Sequence, residues 1–232
     1  MKRFPAAVLF DFDGVLVNSE PLHFYSFHEV LLKEKIQISE QDYYQEMLGL
    51  ADRDGFKLVY QKQHRELDPG TLLRVMTRKS ETMMELIYRR QFKALPGVEE
   101  FVRGLWRSYP LGICSGARRE EIEAMLTGIA LRDCFKVIVS ADDCAIGKPN
   151  PAGYLMAMQE LARKSEGVFK PADCLVIEDS PAVVRSARKA GFKVLALSNS
   201  VPAARLADAD WIADSLMPQT IHKLIPHLKL GA

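Results

Sequence analysis

The second half of the chain alternates short apolar segments with amphipathic ones, and this alternation limits the folds that the sequence can adopt. Apolar runs predict strands at 111–115, 136–140, 174–179, 193–197 and, with a weaker pattern, 211–213. Helical patterns lie between them, at 97–108, 118–127, 151–164 and 181–190. Strands that alternate with helices in this way form a parallel sheet covered on both faces. With the earlier apolar run at 7–10, we predict an α/β fold with a Rossmann-like parallel sheet.

A long segment without a convincing strand separates the first apolar run from the others. Here the sequence predicts helices at 22–35, 40–47, 53–66 and 71–90. The last of them carries a helically spaced stripe made of Leu73, Met76, Ser80, Met83 and Ile87. Because the segment is too long for a loop, we interpret 18–92 as an inserted helical cap over the carboxyl edge of the sheet, where open α/β sheets bind ligands. The α/β core then comprises 1–17 and 93–232.

The composition argues against several classes of protein. The 232 residues carry a formal net charge of +1, which gives no reason to expect nucleic acid or an anionic membrane as a partner. No apolar stretch approaches the ~20 residues of a membrane span, and Asp11 interrupts the N-terminal apolar run too early for a signal peptide. The four cysteines lack the spacing of metal ligands. We therefore expect a cytoplasmic monomer with reduced thiols.

Two aspartates, Asp11 and Asp13, follow the first apolar run and precede Gly14. Residues i and i+2 of an extended segment point the same way, so the two carboxylates should lie together at the carboxyl end of the strand. Glycine allows a sharp turn directly after them. Because two close carboxylates repel each other, the pair indicates a bound cation, a catalytic role or both; the alternative is that it caps a turn.

Polar residues also follow the other predicted strands. Ser115 and Gly116 follow the second strand, Lys148 comes after the third, and Glu178 and Asp179 end the fourth. Each has an ordinary alternative, because serine caps helices and most lysines are solvated. Together, four carboxylates suit Mg²⁺, and a lysine beside them indicates an anionic substrate. A hydroxyl and an amide at the start of a helix can hold phosphoryl oxygens, while one carboxylate attacks phosphorus and another moves a proton.

Four segments form a specific combination, namely Asp11-Phe12-Asp13-Gly14-Val15-Leu16-Val17, Ser115, Gly147-Lys148-Pro149-Asn150-Pro151 and Glu178-Asp179-Ser180. This combination resembles the motifs of the haloacid dehalogenase superfamily, in its phosphatase and β-phosphoglucomutase branch with a small helical cap. The resemblance covers nearly the whole chain. Val183 departs from a usual glycine and Ala152 from a frequent acidic residue, and we expect these changes to affect local packing and a helix start only.

The resemblance implies a role for each motif. Asp11 would be the nucleophile and Asp13 the general acid and base. Mg²⁺ would be held by the Asp11 carboxylate, the Asp13 backbone carbonyl and Asp179, with Glu178 in or beside the first coordination shell. The residues that would steady the phosphoryl group are Ser115, Gly116 and Lys148.

We predict a Mg²⁺-dependent phosphatase that hydrolyses a small phosphomonoester, such as phosphoglycolate or a sugar phosphate, through an aspartyl phosphate. The alternative within the family is a β-phosphoglucomutase, because His23 matches a histidine of those mutases. Mutases also carry an arginine for a distal phosphate, but Leu48-Gly49-Leu50-Ala51-Asp52-Arg53 places Asp52 at that position and Arg53 one residue later. A carboxylate there would repel the phosphate. Asp13, which the dehalogenases lack, argues against dehalogenation.

A receiver domain of a signalling system is an alternative from another class. Receiver domains also combine an acidic cluster, a hydroxyl and a lysine on a parallel sheet. Asp13 and the helical insertion favour an enzyme that acts on a small phosphorylated metabolite. The residues that we predict to contact the rest of the substrate are His23, Arg53, Lys57 and Arg118.

Overall fold

The computed structural model describes residues 4–47, 50 and 52–231. The chain divides into two compact units, which are bounded as Met1–Asn18 with Lys93–Ala232 and as Ser19–Phe92. We call the first the core unit and the second the helical unit. In the segment 48–53, where β-phosphoglucomutases carry an arginine, Leu48, Gly49 and Ala51 lie outside the described residues.

The strands of the described residues are β1 (Ala7–Phe10), β2 (Val17–Asn18), β3 (Lys93–Ala94), β4 (Leu111–Cys114), β5 (Val137–Val139), β6 (Cys174–Glu178), β7 (Lys193–Leu197) and β8 (Trp211–Ala213). The α-helices are α1 (Glu20–Lys33), α2 (Glu40–Asp42), α3 (Asp52–Lys62), α4 (Pro69–Tyr88), α5 (Val98–Trp106), α6 (Arg119–Gly128), α7 (Ala152–Lys164), α8 (Pro181–Lys189) and α9 (Pro218–Leu224). None of the helices in these ranges is long and apolar enough to cross a bilayer.

The core unit contains a six-stranded sheet in the order β5-β4-β1-β6-β7-β8, and every pairing in it is parallel. Strand β1 lies between β4 and β6, and its four apolar residues are fully buried, as expected for a strand covered on both faces. Leu9 joins a buried cluster with Tyr154 of α7 and Val184 of α8. Phe10 points to the other face, where its ring meets Phe101 of α5 edge-on at 6.4 Å. Helices therefore cover both faces, and the predicted α/β, Rossmann-like fold is confirmed.

The first strand ends earlier than the aspartate pair, so one part of the sequence reasoning is wrong. Strand β1 stops at Phe10, and Asp11 and Asp13 lie in the turn that follows it. The amide of Leu16 bonds back to the Phe12 carbonyl at 2.8 Å, and Gly14 has a positive φ of 75°. The Asp11 amide still donates to the Ile177 carbonyl of β6 at 2.9 Å, but after it the turn hydrogen bonds replace strand pairing, so the i, i+2 rule for extended chain does not apply to the two aspartates.

The helical unit departs from its predicted pattern at two places. The predicted helix 40–47 is a short α2 that continues as a π-helix over Tyr43–Met47, and α3 ends at Lys62, because His64 adopts a left-handed backbone with φ 51°. On α4, Leu73 of the predicted apolar stripe is 68% exposed, whereas Lys79 is 1% exposed. The buried face of α4 is therefore rotated from the predicted stripe and contains a lysine.

We predict that Gly97→Ala destabilises the core unit. Gly97 precedes α5 with φ 81°, and a Cβ there would lie 2.5 Å from the Met217 backbone nitrogen. Left-handed backbone costs an alanine about 1–2 kcal/mol, and a backbone neighbour cannot rotate away. We expect the melting temperature to fall by about 4 °C or more. Gly116→Ala is the matched control, since no atom lies within 4 Å of its added Cβ; equal melting temperatures for the two variants would contradict the prediction.

Candidate active site

The site lies where three neighbouring strands of the core unit end. Asp11 and Asp13 follow β1, Ser115 follows β4, and Glu178 and Asp179 lie at the end of β6. Because β1 pairs with β4 on one side and β6 on the other, the topology places these groups side by side. Ser115 Oγ lies 3.4 Å from Asp13 Oδ2, to which it donates a hydrogen bond.

Lys148 connects two of these strand ends. Its Nζ lies 2.7 Å from Asp11 Oδ1 and 2.7 Å from Glu178 Oε1, and its side chain is only 16% exposed. Burial alone would lower the pKa of Lys148, but the charges of Asp11 and Glu178 outweigh it and the net effect raises this pKa. The ordinary alternative, a solvated surface lysine, is therefore wrong.

Glu178 is fully buried, and hydrogen-bond donors surround it. Its Oε1 accepts from Lys148 Nζ at 2.7 Å and from the Tyr154 hydroxyl at 3.1 Å. Its Oε2 accepts from the backbone amides of Asp179 and Ser180, both at 2.9 Å. Both oxygens are therefore used within the protein, and Glu178 fixes the lysine on one side and the start of α8 on the other.

Tyr154 was missed by the sequence reasoning. It lies on the apolar face of α7, six residues after Lys148, and its ring centroid is 4.9 Å from the lysine Nζ. Burial and the charge of Glu178 raise the pKa of its hydroxyl, which therefore stays protonated and can donate. A buried tyrosine usually finds a polar partner, but the sequence does not show which one.

The carboxylates at this edge carry more negative charge than Lys148 can balance. Burial, followed by repulsion from Glu178, raises the pKa of Asp11 well above its usual value, although Lys148 partly opposes this. The same two causes raise the pKa of Asp179 to about 6. Both shifts indicate that the ionised cluster needs further positive charge.

The donor set fits a hard divalent cation. One carboxylate oxygen from each of Asp11, Glu178 and Asp179 can be chosen so that all three lie within 4.8 Å of one another. Oxygen-only ligands of this kind suit Mg²⁺. The fourth predicted ligand, Asp13, does not join this set with its side chain; the resemblance assigns only its backbone carbonyl to the metal.

Gly14 allows the turn after β1 to approach the cluster. A Cβ added at this position would lie 2.2 Å from Asp179 Oδ2, so any side chain would displace the carboxylate. The loop after β7 reaches the same place: Asn199 Nδ2 donates to the Gly14 carbonyl at 2.7 Å, and Ser200 Oγ donates to Asp179 Oδ2 at 2.5 Å. The sequence reasoning missed both residues, although their position after a strand next to β6 was a usable signal.

The segment after β4 differs from its predicted form. Ser115 Oγ accepts a hydrogen bond from the Ala117 amide at 2.9 Å, and α6 begins only at Arg119, after Arg118 in the N-cap position. Ser115 therefore does not cap the helix, and the amide of Gly116 does not belong to its first turn. The placement of the two residues at a helix start is therefore wrong, whereas binding of phosphoryl oxygens by the Ser115 hydroxyl and the Gly116 amide stays a prediction.

The predicted substrate-contacting residues have different surroundings. Arg53 and Lys57 are exposed on α3, and Lys57 lies 3.8 Å from Asp54 Oδ1. Arg118 is exposed in the core unit. Contact of these side chains with a substrate stays a prediction.

His23 belongs to a polar group inside the helical unit, in which Lys79 is buried and His23 and Asp52 are half-buried. Lys79 Nζ lies 2.8 Å from His23 Nδ1 and 2.7 Å from Asp52 Oδ1. An ammonium group only donates, so Nδ1 must accept and the imidazole carries its proton on Nε2. Burial, followed by the charge of Lys79, lowers the pKa of His23 to about 3. Sequence reasoning missed Lys79 because a lysine on a helix is normally solvated.

We predict that His23 makes the helical unit less stable as the pH falls. His23 is neutral in the folded protein, whereas an unfolded histidine takes up a proton below about pH 6.5. The unfolded state then binds more protons, so stability increases with pH between about 3 and 6.5. Because of this residue, the free energy of unfolding should fall by about 2 kcal/mol between pH 7 and pH 5.

The measurement is the melting temperature of the unmodified protein and of His23→Asn at pH 7 and pH 5. The variant should lose less stability on acidification, because asparagine can still accept from Lys79 but takes up no proton. His28→Asn, on the same helix, is the matched control and should lose as much as the unmodified protein. If all three proteins respond alike, the prediction is wrong.

The chain is similar to known proteins in sequence and in fold. Residues 8–197 match the family described as haloacid dehalogenase-like hydrolase. The protein CbbY of Rhodobacter capsulatus is 31% identical over 216 residues, which cover 88% of this chain and 91% of CbbY. The fructose-1-phosphate phosphatase YqaB of Escherichia coli (strain K12) is 28% identical over 190 residues, 81% of this chain and 93% of YqaB.

A solved structure has the same fold. The crystal structure of β-phosphoglucomutase (pgmB) from Clostridium difficile superimposes with a TM-score of 0.77, covering 96% of each chain. Its sequence is 19% identical, so this likeness bears on the fold alone.

Proposed function

Because this chain belongs to the haloacid dehalogenase-like hydrolases, in the branch of the phosphatases and β-phosphoglucomutases, we propose that its acidic cluster hydrolyses a small phosphomonoester with the help of Mg²⁺. The superfamily predicted from the sequence is confirmed, and the chain is a phosphoric monoester hydrolase. The receiver-domain alternative is wrong, since the family match spans residues 8–197 and the relatives include phosphatases.

The ion pair between Lys148 and Asp11 gives the strongest support for this chemistry. The lysine Nζ lies 2.7 Å from Asp11 Oδ1, and the Phe12 amide donates to the same oxygen at 2.7 Å. Both donors use Oδ1, so Oδ2 is the oxygen that attacks phosphorus. The attack forms an aspartyl phosphate and releases the alcohol. Lys148 then lies beside the phosphoryl group, whose negative charge it offsets.

Asp13 moves the protons of both steps. Its carboxyl gives a proton to the leaving oxygen and then takes one from the water that hydrolyses the aspartyl phosphate. Ser115, whose hydroxyl lies 3.4 Å from Asp13 Oδ2, holds a phosphoryl oxygen together with the Gly116 amide. These assignments require Asp13 and Ser115 to lie on the same side of the phosphoryl group, as their hydrogen bond suggests.

The residues that would hold Mg²⁺ are Asp11, Asp179 and the Asp13 backbone carbonyl. The ion would offset the negative charge that builds up on the phosphoryl oxygens. Glu178, with both oxygens already hydrogen-bonded, would orient Lys148 and Asp179 from beside the metal.

The helical unit bears on the choice between phosphatase and mutase. From the sequence, the Asp52 carboxylate is expected to repel a distal phosphate. In the structure, however, Asp52 forms an ion pair with Lys79 at 2.7 Å, and the pair carries no net charge. Asp52 is therefore a weak source of repulsion, but Lys79 is also engaged and offers little attraction to a second phosphate. We propose a substrate with one phosphate group, such as a sugar phosphate or phosphoglycolate.

We predict that Asp11→Asn lowers the turnover number by about 10³-fold or more, because an amide is a poor nucleophile. The measurement is phosphate release from a panel of phosphomonoesters with Mg²⁺ present. Asp133→Asn, an exposed position in the core unit, is the control and should keep full activity. Turnover by Asp11→Asn near the unmodified rate would show that Asp11 is not the nucleophile.

We also predict that hydrolysis exceeds isomerisation on glucose phosphates. The assay follows inorganic phosphate and the isomeric sugar phosphate in the same reaction. Isomerisation faster than phosphate release would establish the mutase alternative.

We further predict that chelation of divalent cations stops phosphate release. Undiminished activity after chelation and dialysis would contradict the metal requirement.

A further inference from the structure

The loop after β7 contributes two side chains to the active-site edge. Ser200 Oγ donates to Asp179 Oδ2 at 2.5 Å, and Asn199 Nδ2 donates to the Gly14 carbonyl at 2.7 Å. Both residues are exposed. Their side chains are directed to the cluster by the strand order, because β7 is the neighbour of β6.

Ser200 is committed to the carboxylate. Asn199 Oδ1 lies farther from the Ser200 hydroxyl, at 3.5 Å, and a hydroxyl with one proton donates to the nearer oxygen. A serine that merely shapes its loop bonds to the backbone instead, as Ser198 does with the Ala213 carbonyl at 3.3 Å. Ser198 therefore bonds to a backbone carbonyl, whereas Ser200 bonds to a carboxylate of the active-site edge.

Asn199 and Ser200 bind two groups that lie against each other, namely the turn at Gly14 and the Asp179 carboxylate. A Cβ at Gly14 would overlap Asp179 Oδ2 at 2.2 Å, so the turn and the carboxylate are in close contact. Asn199 fixes the turn through the Gly14 carbonyl, while Ser200 fixes the carboxylate. Asp179 is thus restrained on both sides.

We propose that Ser200, supported by Asn199, is a positioning residue for the metal site: it binds one oxygen of Asp179 and leaves the other directed to the cation. The inference rests on the proposed function, since it requires Asp179 to be a Mg²⁺ ligand. Asp179 is half-buried next to the fully buried Glu178, and two adjacent carboxylates repel each other, so the Asp179 side chain needs a restraint to stay at the cluster. Residues that orient a ligand in this way commonly contribute 10–100-fold to metal affinity.

The test is Mg²⁺ binding to the full-length protein without substrate, measured by isothermal titration calorimetry. Ser200→Ala should weaken binding about tenfold, and Ser200→Thr, which keeps the hydroxyl, should restore most of the affinity. Asn199→Ala should weaken binding by a smaller factor. Ser198→Ala is the matched control and should bind Mg²⁺ like the unmodified protein. Because Ser200 is exposed, the melting temperature of metal-free Ser200→Ala should be unchanged.

The outcomes separate this inference from the proposed function. Normal Mg²⁺ affinity in Ser200→Ala would overturn the inference and leave the proposed function intact. Equal losses in Ser200→Ala and Ser198→Ala would also overturn it, since the loop as a whole would then be responsible. Failure of Ser200→Thr to bind better than Ser200→Ala would do the same. If the unmodified protein binds no Mg²⁺, the metal requirement of the proposed function fails and the inference fails with it.

Discussion

The contact of Lys148 with Asp11 and Glu178 is the interaction on which the site depends. Three carboxylates lie within 4.8 Å at a largely buried sheet edge, where ions are expensive to desolvate and like charges repel strongly. Lys148 balances part of this charge and fixes Asp11 and Glu178 at 2.7 Å each. Burial, together with the remaining negative charge, raises the pKa values of Asp11 and Asp179, and this unbalanced charge suits a divalent cation.

The helical unit contains a second buried lysine, Lys79, whose surroundings differ from those of Lys148 in their net charge. Lys79 meets one carboxylate, that of Asp52, and a neutral imidazole, that of His23. The charges of Lys79 and Asp52 therefore cancel within the helical unit, and no further ion is required. Lys148 faces two carboxylates with a third nearby. The first arrangement serves structure and orientation, while the second leaves a charge that only a ligand can balance.

The sequence predicted the groups that follow strands, because strand ends in a parallel sheet meet at one edge and the topology is simple to infer. Asp11, Ser115, Lys148 and Glu178 could be found in this way. The form of the turn after β1 could not be predicted, since it depends on hydrogen bonds from Leu16 and on the backbone of Gly14.

Residues without a distinguishing pattern were beyond prediction. Lys79 lies outside the apolar stripe that spacing predicts on its helix, and the sequence does not show that Asp52 and His23 accompany its burial. Tyr154 looks like any aromatic residue of a packed helix. For Ser200, the position after β7 was a usable signal, but its partner Asp179, which lies 21 residues away along the chain, could not be predicted.

The carboxylates of the site differ in how many of their oxygens the protein itself binds, and this difference separates their roles. Glu178 has donors on both oxygens, so it is fixed and serves as a scaffold. Asp11 receives both of its hydrogen bonds on Oδ1, and Asp179 is held by Ser200 through Oδ2. A carboxylate held by one oxygen is oriented and yet keeps a second oxygen for the chemistry that we propose, which is attack on phosphorus by Asp11 and binding of the cation by Asp179.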